Sequence, residues 1–453
     1  MKRRRFLQGL LGALATTPTA RLMSQSRPKT LVFVLADDMR WDAYGEAGDA
    51  RLDTPNLNWL ATTGHQFDNH FVTTSICPTS RASIYTGQYA RRHGVWDFST
   101  DLNATQTSYS LPILLKQAGY QTAFFGKWGI GQTEATNSFD HWQGFLGQGS
   151  YFEHAAGEHL TDRISRAATT WLRKRVSDAP RAIFINTKAP HVQDDVADGF
   201  MPPERYKDLY ADVDFVPPPS ASAEQFDKLP DFLQTSEGRR RWQNRFSSPQ
   251  LYRKTVRQYH QLIRGVDDAV GEVLKCLAEQ GELDQSMIVF SSDNGFFLGE
   301  HGLAGKWWGF EESIRTPLLI KLPRELGSPA AKVKALSLNI DIAPTILDYV
   351  GAPIPGVMQG KSLRPLIENK AENLREHFLY EHLFRHPRIA QTVGLRSLDY
   401  KYLSYPGQNA DAEMLFDLNS DPNELNNLAG QTEYTTTLQQ YRAQTLTMLK
   451  SQR

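Results

Sequence analysis

Three absences limit what this protein can be: cysteine is scarce, neither sign of charge is in excess, and long apolar runs are missing. The cysteines among the 453 residues are Cys77 and Cys276, which lie far apart and make no disulfide framework. Lys+Arg and Asp+Glu both number 50, which argues against a nucleic-acid binder with a broad basic surface. No apolar run is long enough to span a bilayer. These absences are compatible with a globular protein that has a local positive pocket for a small anion.

The composition indicates a packed interior. Hydrophobic residues make up 40% and aromatic residues 11%, which excludes wholesale disorder. A chain of this length suits one large domain and a smaller one. Cys276 lies in a helical pattern, VGEVLKCLAEQG, and is predicted to be a buried core thiol.

The N-terminus predicts export. Residues 1–20, MKRRRFLQGLLGALATTPTA, place arginines before a short apolar run and small residues, which is the order of a signal peptide. The Arg-Arg-x-Phe-Leu arrangement at Arg3 to Leu7 resembles a bacterial twin-arginine signal, so we expect a periplasmic or secreted protein without a membrane span. The alternative is a basic cytosolic tail.

Four apolar runs with β-branched and aromatic residues predict buried parallel strands. Helical patterns fall between them, such as TPNLNWLATTG, with Thr54 as N-cap and Gly64 at the end. This alternation predicts an α/β fold with a doubly wound, mixed but mostly parallel sheet, in which ligands bind at the carboxyl ends of the strands. The four runs are TLVFVLADD, TAFFGKWG, RAIFINTKAPH and MIVFSSDNG.

The chain is predicted to have two domains after the signal. Residues 27–367 carry the strand–helix alternation, and residues 368–453 read as a smaller α+β domain of antiparallel strands and a final helix from about Thr435. An irregular segment at about 200–248, with a basic GRRRW, is predicted to run over the surface and is a candidate wall of the site.

Acidic and amide side chains follow two of the predicted strands. Asp37 and Asp38 follow the first strand, and Asp293 and Asn294 follow the last of the four. Together they supply an all-oxygen ligand set of the kind that Ca²⁺ prefers. The competing interpretation is that these residues only cap helices and turns.

Three basic residues accompany this set. Lys127 in FFGKWGIG and Lys306 in EHGLAGKWWGF have glycines nearby, which let the backbone bring an ammonium close to a ligand. His191 follows KAP at another strand end. Each residue taken alone is more often a surface lysine or a structural histidine than a catalytic group.

Cys77 is predicted to lie at the mouth of a helix in TTSICPTSRASIYTG. Pro78 suits the first turn and Gly87 the end of that helix. The free N–H groups there attract anions, so we expect them to lower the pKa of the thiol. Arg81, one turn later, suits bidentate contact with sulfate or phosphate.

These residues resemble a known signature. Cys77-Pro78-Thr79-Ser80-Arg81, followed by ASIYTG, looks like the motif of the type I, formylglycine-dependent sulfatases of the alkaline phosphatase superfamily. The resemblance covers nearly the whole mature chain. It includes LADD, TPNLNWLA, TGQYARRHGV, GYQTAFFGKWG, SDNGFFLGEHGLAGKWWGFEESIRTPLL, DIAPTILDYVG and LFDLNSDPNELNNLA.

The resemblance implies a fold, two cofactors and a reaction. Cys77 would be oxidised by a formylglycine-generating maturation enzyme to Cα-formylglycine, and one hydroxyl of its hydrate would attack the sulfur of a sulfate ester. The sulfated hemiacetal would then collapse and release sulfate. Ca²⁺ would be bound by Asp37, Asp38, Asp293 and Asn294; Arg81 and Lys127 would stabilise the hydrate, and His191 and Lys306 would hold the sulfate and assist the leaving oxygen.

The sequence departs from the family pattern at two positions. Thr79 stands where the maturation motif usually has Pro or Ala, so conversion of Cys77 is a prediction. Gly129 stands two residues after Lys127, where the family usually has histidine. His191 or another nearby histidine such as His93 is a candidate to replace it as the base.

The predicted substrate is a sulfated polysaccharide or oligosaccharide. Candidate substrate contacts are His301, Trp307, Trp308 and the EHLFRHPR segment, because adjacent tryptophans suit sugar stacking, although aromatic residues are more often core. Three alternatives stay open: a phosphodiester or phosphonate monoester hydrolase of the same fold, a non-catalytic binder of sulfated glycans, and a thiol hydrolase using Cys77 with His191.

Overall fold

The structure is a computed structural model that describes residues 27–153, 157–175, 177–194, 196, 198–408 and 412–452. The predicted signal peptide at residues 1–20 lies outside the described residues. Within them, no helix is both long and apolar enough to cross a membrane.

The strands form one large sheet, an antiparallel C-terminal sheet and two short pairs. In chain order the strands are β1 (Thr30–Asp37), β2 (His65–Phe67), β3 (His70–Phe71), β4 (Gln121–Lys127), β5 (His141–Phe145), β6 (Arg181–Pro190), β7 (Ser286–Ser292), β8 (Phe297–Leu298), β9 (Ala304–Gly305), β10 (Leu318–Lys321), β11 (Ala331–Val333), β12 (Ser337–Leu338), β13 (His377–His382), β14 (Thr392–Ser397), β15 (Tyr400–Ser404) and β16 (Glu413–Asp417).

The large sheet has the order β11-β2-β10-β7-β1-β6-β4-β5. Its centre is parallel: β1 pairs with β6 and β7, and β4 pairs with β5 and β6. β10 runs antiparallel to β7 and β2, which makes the sheet mixed. The four predicted strands are β1, β4, β6 and β7, and the predicted mixed, mostly parallel α/β sheet is confirmed.

The α-helices cover both faces of this sheet. Alternate residues of β1 face opposite sides, with Val32 and Val34 in one hydrophobic layer and Leu31 and Phe33 in the other. The helices are α1 (Pro55–Thr63), α2 (Cys77–Thr86), α3 (Ala90–His93), α4 (Ala104–Ser108), α5 (Leu111–Gln117), α6 (Leu160–Arg173), α7 (Ala223–Asp227), α8 (Asp231–Gln234), α9 (Glu237–Arg245), α10 (Pro249–Glu279), α11 (Glu311–Ile314), α12 (Ile342–Val350), α13 (Arg364–Ile367) and α14 (Thr435–Ser451).

Several local predictions are confirmed by these elements. α1 begins after Thr54 and is followed by Gly64, as the TPNLNWLATTG pattern indicated. Cys276 is buried in α10 beside the sheet, so it is a core thiol. The segment at about 200–248 has short helices, α7 to α9, and the basic GRRRW lies in α9.

The C-terminal region is an antiparallel sheet of β13 to β16 with α14 against it. Its edge strand β13 joins the core of the larger region, where the rings of Phe71 and Phe378 stack with centroids 5.2 Å apart. The hydrophobic core is therefore continuous across the predicted boundary between residues 27–367 and 368–453, and that division stays a prediction.

Candidate active site

The parallel strands bring their polar ends to one edge of the sheet. Asp37 is the last residue of β1 and Lys127 the last of β4. His191 directly follows β6, and Asp293 directly follows β7. Because these four strands are neighbours, residues up to 256 positions apart in the chain meet in one small volume.

Cys77 faces this edge from the start of α2. It is the first helical residue, Pro78 is the second, and Gly87 closes the helix with φ of 64°, a conformation that favours glycine. The thiol is buried; Lys306 Nζ lies 2.9 Å from Sγ, and Sγ lies 3.3 Å from Asp37 Oδ1.

The prediction that the helix terminus lowers the pKa of the Cys77 thiol is wrong. Burial raises the pKa of Cys77 above its usual value, and the negative charge of Asp37 raises it further. Lys127 and Lys306 oppose this without reversing it. Cys77 is therefore a neutral thiol at neutral pH, which does not suit a thiolate nucleophile.

Arg81 donates its hydrogen bonds to groups inside the protein. The side chain is fully buried; Nε donates to Asp293 Oδ2 at 2.8 Å, and Nη2 to Asp37 Oδ2 at 3.2 Å. Nη1 donates to the carbonyl of Lys127 at 2.6 Å. Arg81 thus orients the two carboxylates, rather than presenting a fork to an anion as the sequence suggested.

Asp37 is held as a carboxylate. Burial alone would raise its pKa, but the charges of Lys127, Arg81 and Lys306 hold the pKa well below the usual range. Lys127 Nζ donates directly to Asp37 Oδ2.

Asp38 has a different environment. Its φ is 66°, in the left-handed region, which is uncommon for a residue other than glycine. Burial raises the pKa of Asp38 to about 7, against the opposing charge of Lys306. Its Oδ1 accepts from Lys306 Nζ and from Asn294 Nδ2, both at 2.5 Å.

The acidic set fits a hard cation. Asp37, Asp38, Asp293 and Asn294 are all at most 1% exposed, and Asn294 Oδ1 has no hydrogen-bond partner among the described residues. Donor atoms of Asp37, Asp38, Cys77 and His191 lie within 4.8 Å of one another. A buried amide oxygen with no donor, beside three carboxylates, suits an oxygen-coordinated ion such as Ca²⁺.

His191 is neutral. Burial lowers its pKa well below the usual value, and the charge of Lys306 lowers it further. Nδ1 lies 2.5 Å from the carbonyl of Val192, which makes it the protonated nitrogen, and Nε2 faces Asp38 Oδ2 at 3.6 Å. An unprotonated Nε2 facing the site is a candidate proton acceptor.

Packing explains the glycine at position 129. Its φ is 71°, and a Cβ built there would lie 2.8 Å from Arg81 Cδ. A histidine at this position would clash with the side chain that orients Asp37 and Asp293. His93 does not replace it, since its Nε2 lies 3.0 Å from Ser83 Oγ and its Nδ1 accepts from the N–H of Val95.

Thr79 and the predicted substrate contacts are mostly buried. Thr79 lies in α2 with no exposed surface. Trp308 is 0% exposed and His301 2%, both in contact with core aromatic rings, so neither has a face free for a sugar. Trp307 is 5% exposed, beside Lys306.

The EHLFRHPR segment is buried at Glu381 and His382 and reaches the surface from Leu383 onward. Residues 383–385 line a cleft of about 720 Å³ together with Arg91 and Trp96. Contact of this segment with substrate stays a prediction.

Some contacts of the site had no sequence signal. Gln148 accepts from Lys127 Nζ through Oε1 at 2.7 Å and from Lys188 Nζ through its carbonyl at 3.0 Å. The hydroxyl of Tyr259, in the middle of α10, donates to the carbonyl of Asp38 at 2.8 Å. Neither residue lies at a strand end or in a recognisable motif, so only the fold reveals them.

Comparison with known proteins agrees with this geometry. The sulfatase family model matches residues 29–352, and the model of the C-terminal region of N-sulphoglucosamine sulphohydrolase matches residues 299–452. An N-acetylglucosamine-6-O-sulfatase from Bacteroides thetaiotaomicron is 29% identical over 93% of this chain and 86% of its own length.

Two further relatives span almost the whole chain. A multifunctional alkaline phosphatase superfamily protein from Trinickia caryophylli is 28% identical over 91% of this chain and 93% of its own. A protein solved in complex with its substrate, D-glucosamine-2-N,6-O-disulfate, superposes with a TM-score of 0.80 at 26% identity, covering 94% of this chain and 98% of the other. The chain therefore belongs to the sulfatase family of the alkaline phosphatase superfamily and is a sulfuric ester hydrolase.

Proposed function

We propose that this enzyme is an exported, Ca²⁺-dependent sulfatase that removes sulfate from a sulfated amino sugar or a glycan containing one, with formylglycine at residue 77. One observation carries the proposal: the Cys77 side chain is buried between a lysine ammonium and the acidic set, at the carboxyl edge of the sheet. The glucosamine-directed relatives support the substrate class. The signal-like N-terminus supports periplasmic location or secretion.

The charges of the site match such a substrate. The three carboxylates Asp37, Asp38 and Asp293 are balanced by Arg81, Lys127 and Lys306, all buried. A divalent cation bound by the acidic set, with Asn294, would leave an excess of positive charge, which a sulfate ester neutralises. The site therefore favours the metal and the anion together over either alone.

The residues of this chain then have distinct tasks. A formylglycine hydrate at residue 77 would supply the nucleophile, and Ca²⁺ held by Asp37, Asp38, Asp293 and Asn294 would oppose the negative charge of the sulfate group. Lys306, now 2.9 Å from Cys77 Sγ, places an ammonium beside the reacting group. Nε2 of His191 accepts or returns a proton, in place of the histidine that the family usually has at the position of Gly129.

The test is sulfate release by protein produced with and without a formylglycine-generating maturation enzyme. With that enzyme and Ca²⁺, we expect turnover of N-acetylglucosamine-6-sulfate. Protein that keeps its thiol is the matched control and is expected to be inactive, because the thiol is neutral and lacks a hydrated carbonyl. An aldehyde at residue 77 without sulfate release from any sulfated glucosamine would contradict the proposal.

A second candidate reaction is hydrolysis of phosphodiesters or phosphonate monoesters. The similarity to the multifunctional alkaline phosphatase superfamily protein supports this candidate, since sulfate esters and phosphate or phosphonate esters are tetrahedral anions of similar shape. Parallel kcat/KM values for an aryl sulfate, an aryl phosphodiester and an aryl phosphonate decide between them. We expect the sulfate to be preferred.

A further inference from the structure

The basic helix α9 carries more positive charge than its partners neutralise. Arg240, Arg241 and Arg245 share two carboxylates, Glu237 and Asp194. Arg240 pairs with Glu237 alone, and its side chain is 50% exposed. The side chains of Arg241 and Arg245 are 21% and 13% exposed and both pair with Asp194, and Arg241 Nε also donates to Glu237 Oε1 at 3.0 Å.

Arg241 lies against the loop of the catalytic lysine. Its guanidinium carbon is 4.9 Å from the centroid of the Trp307 ring, a cation–π geometry, and Trp307 directly follows Lys306. Its Nη1 lies 3.1 Å from both carboxylate oxygens of Asp194, three residues after His191. Arg241 therefore touches segments that reach the site from two sides.

Arg245 retains an unused donor. Nη2 donates to Asp194 Oδ1 at 2.6 Å, whereas Nη1 is buried and has no hydrogen-bond partner among the described residues. Burial lowers the pKa of Arg245 to about 10, and the Asp38 carboxylate is close enough to raise it in part. A buried guanidinium N–H without an acceptor is unfavourable unless a ligand supplies one.

We propose that Arg241 and Arg245 form a second anion subsite, which binds a sulfate or carboxylate group of the substrate other than the ester that is hydrolysed. Asp194 and Trp307 position the two guanidinium groups. The subsite selects glycans with two anionic groups on one sugar or on neighbouring sugars. This inference rests on the proposed function and names the substrate class more narrowly.

Binding to the inactive thiol form tests the subsite without turnover. Calorimetry in Ca²⁺ buffer compares glucosamine-6-sulfate with glucosamine-2-N,6-O-disulfate. We expect the parent protein to bind the disulfated sugar at least about tenfold more tightly, the usual effect of a charge-assisted hydrogen bond. Arg241→Gln and Arg245→Gln should each bring this ratio close to one.

Arg240→Gln is the matched control, from the same helix but outside the subsite, and should leave the ratio unchanged. A disaccharide with one sulfate and one uronate carboxylate shows whether the second group is sulfate or carboxylate. Preference for either doubly anionic probe supports the subsite. If a glutamine variant fails to fold, the parent's preference for the disulfated sugar should still weaken as NaCl is raised.

Two results would overturn the subsite: equal affinity of the parent protein for the monosulfated and doubly anionic probes, or an equal loss of preference in Arg240→Gln. Failure of the proposed function is distinguishable from both. In that case the formylglycine form releases no sulfate, while the thiol form keeps its preference for two anionic groups.

Discussion

Two buried charge clusters in this protein have similar composition and different purposes. The catalytic cluster comprises Asp37, Asp38, Cys77, Arg81, Lys127, Asp293, Asn294 and Lys306. The docking cluster joins the loop around α11 to the C-terminal sheet and comprises Glu311, Arg396, Lys401 and Glu424.

The buried charges of the docking cluster pair with one another. Lys401 Nζ lies 2.8 Å from Glu311 Oε1 and 2.7 Å from Glu424 Oε1. Glu424 Oε2 accepts from the backbone N–H of Glu311 at 2.7 Å. In the catalytic cluster Asn294 Oδ1 lacks a donor, and the thiol of Cys77 lies between charged groups. Lys401 Nζ and Glu424 Oε1 also lack a hydrogen-bond partner among the described residues, but each faces the opposite charge of the other at 2.7 Å. Buried charges that pair with one another hold a fold together, whereas the neutral acceptor of Asn294 beside three carboxylates fits a bound cation.

The largest expected effect is loss of activity on removing the thiol of the catalytic cluster. Cys77→Ala should lower sulfate release at least about a thousandfold, because alanine provides no precursor for the nucleophile. Cys276→Ala is the matched control, since its thiol is also buried but lies in α10. Equal losses in the two variants, measured as rate per folded molecule, would contradict the assignment.

Removal of metal should also affect the catalytic cluster alone. A chelator selective for Ca²⁺ should lower kcat/KM about a hundredfold or more, and added Ca²⁺ should restore it. Circular dichroism should show an unchanged fold, since Asp37 and Asp38 keep their lysine partners. Full activity after dialysis against the chelator would exclude the metal role.

Charge removal in the docking cluster should affect stability instead. Lys401→Met leaves the buried carboxylate of Glu424 without its cation, while Glu311 keeps Arg396, and should lower the free energy of unfolding by about 3–5 kcal/mol. The control is Lys370→Met, whose 71% exposed side chain pairs with Glu368 and should change stability by less than about 1 kcal/mol. Denaturant titration measures both variants, and equal losses would contradict the distinction.

The smallest effect concerns Gly129. Restoring the family histidine by Gly129→His should destabilise the protein by about 1–2 kcal/mol, because φ is positive there and the new Cβ meets Arg81. We expect lower activity as well, since displaced Arg81 no longer orients Asp37 and Asp293. A rise in kcat would show that the reaction needs a histidine base at position 129 and that His191 does not take its place.

The sequence predicted the catalytic cluster better than the docking cluster because the two are built differently. Strand ends in a parallel sheet share one edge, so Asp37, Lys127, His191 and Asp293 could be grouped from apolar runs alone. Glu311 and Glu424 meet across 113 residues through loops and an antiparallel sheet, where no periodic pattern reports proximity.

The remaining errors concern burial. Trp308 is predicted to stack on a sugar, but a tryptophan fits a core equally well, and Trp308 is packed among aromatic rings. Contact of Trp307 with substrate stays a prediction. The pKa of Cys77 was predicted from its helix position alone. Burial and the charge of Asp37, which lies 40 residues away in the chain, raise the pKa instead.

The central claim is that Cys77 is the precursor of the reactive group in a metal-binding sulfatase site. Peptide mass spectrometry across residue 77, on protein produced beside a maturation enzyme, tests it most directly. The account predicts the mass of an aldehyde at residue 77, in a fraction that rises in proportion to sulfate release. An intact thiol in protein that releases sulfate at full rate would contradict it.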